Sequence, residues 1–191
     1  MYQTREQWLE AAVEELKPLF KEIGVELPTV RVSVGWPSKN GTATKAKTVG
    51  ECWKRCVAED GINQIFISPI LGHEGLAVLV HELIHAWDDC KSGHKGEFAR
   101  VAKAVGLVGK LTVTTPGDEL TDKLKVILNS LGDYPHSVLV AEEMKKQKKP
   151  QTTRMLKLEA VECCGYTVRT TQKWIEKGLP TCPHGNPMEQ V

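Results

Sequence analysis

The sequence is organised around residues 76–90, which read LAVLVHELIHAWDDC. Its large apolar residues recur at spacings of three and four, the period of a helix with one buried face. These apolar residues are Leu76, Leu79, Val80, Leu83, Ile84 and Trp87. On such a helix His81 and His85 lie one turn apart on the same side, and Glu82 points a little further round. The stretch therefore predicts a core helix that holds two imidazoles side by side.

Two imidazoles one turn apart can bind one metal ion at roughly 2.0–2.1 Å, the zinc–nitrogen distance. A third histidine, His94, follows a Gly-rich break after His85 and is expected to open a second helix. Three protein ligands and a water form a catalytic zinc site, whereas four protein ligands form a structural one. Glu82 is better placed to act as a base on that water than as a ligand, so the set predicts metal-assisted hydrolysis. The alternative is three ordinary histidines on and near a core helix.

Several motifs of the chain resemble the SprT-like metallopeptidases, which are related to the Spartan proteases that degrade proteins crosslinked to DNA. The resemblance rests on HELIH at residues 81–85 and on GHKGEF at residues 93–98. It extends over most of the chain through FISP at residues 66–69 and CGYTVR at residues 164–169. The sequence is most similar to the short stand-alone versions carried by bacteriophages.

The resemblance implies an α+β, zincin-like metallopeptidase domain, with a small and mostly antiparallel sheet packed on helices. It implies one catalytic Zn²⁺ bound by His81, His85 and His94, with Glu82 as the general base for the cleavage of peptide bonds. The substrate would be a protein or a peptide. An extended substrate can add as a strand to one edge of a sheet, and we expect such an edge in the sheet formed by residues 30–68.

Two other functions are compatible with the same residues. The chain could be a non-catalytic, zinc-containing binding protein associated with DNA or a polymerase, in which the zinc is structural. Glu82 argues against this function, because a purely structural site has no use for a base beside its ligands. The chain could also be a zinc hydrolase that acts on a non-peptide amide, which the spacing alone does not exclude.

Composition predicts three segments: a catalytic domain at 1–140, a basic linker at 141–155 and a small unit at 156–191. The 191 residues carry a net charge of +1, but residues 141–191 hold nine Lys or Arg against six acidic residues. No apolar run approaches the roughly 18–20 residues that span a bilayer, and no secretory signal begins the chain. We therefore expect no membrane partner, a cytoplasmic location (the host cytoplasm if a phage encodes the chain), and six cysteines present as thiols or metal ligands.

Periodicity and turn residues predict the remaining elements of the domain. Thr4 and Gln7 form a capping box for a first helix that ends by Gly24, with a kink or break at Pro18. A further helix is expected at residues 118–131, capped by Asp118. The period of two predicts strands at residues 30–34, 49–57 and 62–68, and a loop with a short strand (111–114) at residues 106–116.

The loop after the last of these helices contains Tyr134 and His136. Either side chain, if it lay near the zinc, could stabilise the oxyanion that develops during hydrolysis. The alternative is a loop anchor that packs Tyr134 on the core.

The last segment resembles the zinc ribbon of many SprT-like proteins but departs from its pattern. The second cysteine of the first ribbon pair matches Cys164, but Val161 stands where the first is expected. A second Zn²⁺ could instead use Cys163, Cys164, Cys182 and His184, although adjacent cysteines are awkward ligands for one ion. Arg169, Lys173 and Trp174 are candidate DNA contacts, since cations can bind phosphates and an aromatic ring can stack on a base.

Overall fold

The computed structural model describes residues 2–43, 47–140 and 154–191. The chain divides into two compact units, Met1–Ala141 and Glu142–Val191. Both combine helices with small sheets, so the α+β class is confirmed. Most of the predicted basic linker, residues 141–153, lies outside the described residues. No helix of the described residues combines the length and the apolar character needed to cross a membrane.

Helix α1 (Arg5–Glu22) begins with the predicted capping box. The Gln7 N–H donates to Thr4 Oγ1 over 3.2 Å, and the Thr4 N–H donates to Gln7 Oε1 over 3.3 Å. The helix continues through Pro18, so the expected break is absent. Buried side chains on both sides of Pro18 account for this, because the core holds the helix where one backbone hydrogen bond is lost.

The first sheet contains β1 (Val30–Val34), β2 (Gly50–Trp53) and β3 (Asn63–Ile67) in the order β1-β3-β2. β1 runs parallel to β3, and β2 runs antiparallel to it, so the sheet is mixed rather than mostly antiparallel. β2 is shorter than predicted, since the chain turns into a short 3-10 helix at Arg55–Val57. Cys56 is therefore exposed, whereas Cys52 remains on the sheet and is half-buried.

Helix α2 (Gly75–Trp87) contains the motif that organises the sequence, and α3 (Gly96–Val105) follows it. Between them the backbone is left-handed at Asp89 and Cys90, with φ of 54° and 56°. The Asp89 carboxylate accepts hydrogen bonds from the Arg55 N–H (2.9 Å) and from Asn63 Nδ2 (3.2 Å). These bonds tie the interhelical turn to the sheet. His94 lies in this turn, two residues before α3, rather than opening the helix as predicted.

A hairpin stands where a loop with one short strand was predicted. β4 (Leu107–Lys110) and β5 (Val113–Pro116) pair antiparallel, with Gly109 opposite Thr114. Helix α4 (Asp118–Leu131) then follows over the predicted range, although Gly117, not Asp118, occupies the cap position. The hairpin and the two helices before it complete the first unit around one core, which includes Trp8, Phe20 and Phe98.

The second unit contains β6 (Leu156–Glu159), β7 (Thr167–Thr170), the short helix α5 (Gln172–Ile175) and β8 (Glu189–Gln190). Its sheet has the order β7-β6-β8, and both pairings are antiparallel. Among the described residues of this unit, the buried core is small and consists of Leu158, Ala160, Cys182 and Met188. Domains of fewer than about 70–80 residues have cores that contribute little stability, and such domains commonly add a metal, disulfides or a partner.

Candidate metal centres

The three predicted histidine ligands meet at one point in the first unit. His81 and His85 project from α2, and His94 reaches them from the turn before α3. His94 Nε2 lies 3.2 Å from the Nε2 atoms of both His81 and His85. Two nitrogens bound to a tetrahedral zinc at 2.0–2.1 Å would lie about 3.3 Å apart. The spacing therefore fits a single ion held by three imidazoles.

Phe98, a buried core residue of α3, also forms the base of this histidine site. Its ring stacks on His85 with centroids 4.3 Å apart and an interplanar angle of 25°. It meets the rings of His81 and His94 at 4.9 Å and 5.0 Å. The interhelical turn is fixed further by Asp88, whose carboxylate accepts from the Ser92 N–H over 2.9 Å. The histidines are thus held by the core and the turn together.

Burial keeps the histidines neutral. It is the main cause that lowers the pKa of His81 to about 3 and the pKa of His85 to about 4, and the neighbouring imidazoles lower both further. Burial also lowers the pKa of His94. A metal ligand must offer a free nitrogen lone pair, so neutral imidazoles suit the binding of a cation.

Glu82 is buried beside the histidines, and its carboxyl lies beneath the start of β2. Burial raises the pKa of Glu82 to about 8, with smaller contributions from Cys90 and Glu51. A Cβ atom added at Gly50 would lie 2.5 Å from Glu82 Oε1, so the absence of a side chain at Gly50 makes room for the carboxyl. No ion pair among the described residues involves Glu82. The ionised carboxylate of Glu82 therefore has no positively charged partner there, and a bound cation would supply one.

The histidine site opens into a cleft of about 660 Å³. One wall is formed by residues 47–52, which comprise the edge strand β2 and the segment before it. The opposite wall is formed by Lys110 and residues 112–114 of the hairpin. Sequence reasoning left open which sheet edge is next to the site, and the structure identifies it as β2.

Sequence reasoning also missed a contact from the hairpin to the histidines. Thr114 Oγ1 of β5 lies 2.9 Å from Nδ1 of His81. The hairpin itself was predicted as a loop, and no local pattern relates residue 114 to residue 81.

Tyr134 and His136 do not line the cleft, so the structure lends no support to a role in oxyanion stabilisation. The Tyr134 ring packs edge-on against Trp8 with centroids 5.0 Å apart, and the Tyr134 N–H donates to His73 Nε2 over 3.2 Å. His136 lines a separate cavity beside Arg5. The packing against Trp8 agrees with the loop-anchor interpretation of Tyr134.

The second unit brings together the four residues considered for a second metal. One potential ligand atom from each of Cys163, Cys164, Cys182 and His184 lies within 4.8 Å of every other. The Cys163 and Cys182 sulfurs are 3.8 Å apart, which matches the spacing of about 3.8 Å for two sulfurs on a tetrahedral zinc at 2.3 Å. His184 Nδ1 lies 3.7 Å from Cys163 Sγ. The sequence made adjacent cysteines awkward ligands for one ion, but in the structure both Cys163 and Cys164 lie close to Cys182 and His184.

Two tight turns produce this convergence. In the first, the N–H groups of Cys163, Cys164 and Gly165 all donate to the Ala160 carbonyl, and Gly165 has φ of 65°. In the second, the Cys182 N–H donates to the Asn186 carbonyl over 2.8 Å. Desolvation raises the pKa of Cys182, but backbone N–H bonds from Asn186 and His184 and the hydrogen bonds with Cys163 and Cys164 together lower it to about 7. Three thiols and one imidazole form a closed set of the structural type.

The candidate DNA contacts lie on the surface of the second unit. Trp174 is 60% exposed, and Lys173 Nζ lies 5.6 Å from the centroid of its ring. Arg169 is exposed on β7, where it lies opposite Lys157 of the neighbouring strand β6. An exposed indole beside a lysine is compatible with stacking on a base, which remains a prediction.

No protein-family model, curated protein or solved structure matches this chain. The functional proposal therefore depends on the residues of the two candidate metal centres and on the sequence resemblance.

Proposed function

We propose that this chain is a zinc-dependent metalloendopeptidase of the SprT-like type that its sequence resembles. The observation that carries the proposal is the convergence of the Nε2 atoms of His81, His85 and His94 in an open cleft that also contains the Glu82 carboxyl. Three imidazoles leave a fourth position for water, and a buried carboxyl next to it can exchange protons. A purely structural site would need neither the open cleft nor the carboxyl.

In this proposal the catalytic chemistry is divided between the ion and Glu82. A zinc ion on the three imidazoles would supply Lewis acidity that activates water and polarises the carbonyl of the scissile peptide. Glu82 accepts the proton of the attacking water and returns it to the leaving amine. Burial raises the pKa of Glu82 to about 8 in the metal-free site, and a bound cation would favour the ionised carboxylate, which is the form that can accept the proton.

The proposed substrate is a protein or peptide segment that binds in an extended form along β2. β2 pairs with β3 on one side, and its other side faces the cleft. A segment laid along that edge would gain main-chain hydrogen bonds, which every peptide can form, so binding would depend little on sequence. The apolar side chains of Val49, Val78 and Val113 also line the cleft and can contact substrate side chains.

We propose that a second zinc is structural and is held by Cys163, Cys164, Cys182 and His184. It would stabilise a unit whose described residues contribute only a small core of four buried side chains. The exposed Trp174 with Lys173 and Arg169 would then offer a surface for DNA, so that the enzyme acts on DNA-associated proteins.

The test compares the full chain with Glu82→Gln, Glu14→Gln and the double variant His81→Ala, His85→Ala. Cleavage is measured on an unfolded protein substrate, and zinc by mass spectrometry. We expect two zinc ions in the wild type, two in Glu82→Gln and one in the double variant. Glu82→Gln should lose activity by roughly 10²–10⁴-fold, the usual contribution of a general base.

Glu14→Gln is the matched control, because Glu14 is an exposed carboxylate of α1 that pairs with Lys17 over 2.6 Å and does not line the cleft. It should retain most of the activity. Cleavage by Glu82→Gln at the wild-type rate would overturn the role of Glu82. A wild type that binds zinc at the histidines without cleaving any protein would favour the non-catalytic binding protein instead.

A further inference from the structure

Thr114 reaches the histidine site from the hairpin, on the opposite side of the cleft from β2. It is half-buried on β5, and its Oγ1 lies 2.9 Å from His81 Nδ1. An imidazole that binds a metal through Nε2 carries its proton on Nδ1 and can donate it to a neighbouring acceptor. The hydroxyl oxygen of Thr114 is in position to accept that proton. This contact is independent of the α2 motif, because it comes from a different element.

We propose that Thr114 is a positioning residue, which holds His81 in the tautomer and ring orientation that bind the catalytic metal. The inference rests on the proposed metal site at His81, His85 and His94. It assigns the hairpin a function beyond forming a wall of the cleft, since its strand β5 supplies the outer support of one ligand. Such outer contacts fix the ring and raise the basicity of the coordinating nitrogen.

The packing of Phe98 explains why His81 needs this contact. His85 lies nearly parallel to the Phe98 ring, with an interplanar angle of 25°, so stacking restricts its rotation. His81 meets the same ring edge-on, at 61°. The terminal torsion of a histidine is broad, so further contacts decide the orientation of the His81 ring. A hydrogen bond to Nδ1 is the contact that selects one ring orientation.

The strand geometry of β5 also supplies a control. Side chains alternate across a strand, so Thr115 points to the opposite side from Thr114. Thr115 is exposed and does not line the cleft. A valine at either position keeps the branched shape and the strand preference of threonine and removes only the hydroxyl.

The experiment measures the affinity of the full chain for Co²⁺ and Zn²⁺ by competition with a chromogenic chelator. Cobalt bound to cysteines gives a thiolate-to-metal charge-transfer absorption that cobalt on histidines lacks, so the two centres are read separately. We expect Thr114→Val to weaken binding at the histidine centre by about 10–100-fold, the usual effect of losing an outer contact. Binding at the cysteine centre should not change. Thr114→Ser, which restores the hydroxyl, should recover most of the affinity, and Thr115→Val should bind like the wild type.

Circular dichroism melts of the metal-free variants establish that each is folded, and Thr114→Ala provides a second protein without the hydroxyl. Wild-type affinity in Thr114→Val or Thr114→Ala would overturn the proposal. So would an equal loss in Thr114→Ser, since the hydroxyl would then be irrelevant, or an equal loss in Thr115→Val, since the effect would then belong to the whole hairpin. If the wild type itself binds no metal at the histidines, the proposed function falls together with this inference. If the wild type binds metal at the histidines and the Thr114 variants bind it equally tightly, the proposed function stands and only the role of Thr114 is overturned.

Discussion

Burial acts in opposite directions on the two kinds of ionisable group at the histidine site. It lowers the pKa of His81 and His85, and it raises the pKa of Glu82. Both shifts favour the neutral form, because a low-dielectric surrounding disfavours charge. The metal-free site at neutral pH therefore contains neutral imidazoles and a carboxyl that is mostly protonated. The protein can bury these groups before any ion arrives.

The shift of Glu82 predicts a pH-dependent stability of the metal-free protein. The pKa of Glu82 is raised from an ordinary value of 4.5 to about 8 in the folded state. Between these values the folded state binds more protons than the unfolded state, so stability falls as pH rises through the window and levels off above it. Glu82→Gln lacks this loss. Its unfolding free energy relative to the wild type should therefore rise between about pH 5 and pH 9, by on the order of a few kcal/mol.

This prediction is checked by urea unfolding of chelator-treated wild type and Glu82→Gln across that pH range. The histidines are common to both proteins, and Glu82 does not contribute to their pKa shifts, so their titration should cancel in the difference. A difference between the two proteins that is independent of pH would show that Glu82 has no raised pKa in the folded state.

At the scale of elements, the site depends on how closely α2 approaches β2. Gly50, the first residue of β2, faces the helix where Glu82 and Val78 project. A Cβ at this position would lie 2.5 Å from Glu82 Oε1 and 2.5 Å from Val78 Cγ1. The helix and the strand can thus enclose the carboxyl only because the strand begins with a glycine.

Gly50→Ala should therefore reduce both stability and activity. Overpacking of this kind typically reduces stability by about 1–3 kcal/mol, and the displaced Glu82 should lower kcat while zinc content stays at the wild-type value. Urea unfolding and peptide hydrolysis measure the two effects. Gly72→Ala is the control, because a Cβ there would meet its nearest neighbours at 3.5 Å and 3.6 Å, an ordinary contact. Equal behaviour of the two variants would mean that space at Gly50 is not limiting.

At the scale of the whole molecule, the two units differ in what can stabilise them. The first unit has an extensive core that includes all of its long helices. In the part of the second unit that the structure describes, residues 154–191, four side chains form the buried core, and one of them, Cys182, is also a ligand candidate of the second metal centre. A metal bound by residues from its two turns would join segments that the small core alone holds weakly.

Cys182→Ser should therefore unfold the second unit and leave the first unit intact. We expect one zinc instead of two, loss of dispersed amide resonances for residues 154–191, and retained resonances for the first unit. Cys56→Ser serves as the control, since Cys56 is exposed and outside both clusters. A second unit that keeps its dispersed resonances in Cys182→Ser, or in metal-free protein, would contradict a structural role for the ion.

The local sequence determined the features that depend on neighbours along the chain. The apolar period fixed α2, and the spacing of His81 and His85 placed two ligands on one side of it. The residues Thr4 and Gln7 determined the start of α1 in the same way. These predictions succeed because a helix repeats every 3.6 residues and its capping contacts span three or four residues.

Only the tertiary structure decided the contacts between distant segments. It selected β2 as the edge beside the cleft, set Thr114 against His81 and brought Cys163 and Cys164 to Cys182 and His184. It also kept Tyr134 away from the site, against Trp8. Strand order, hairpin register and the approach of helix to sheet depend on how the whole core packs, and no short-range period encodes them.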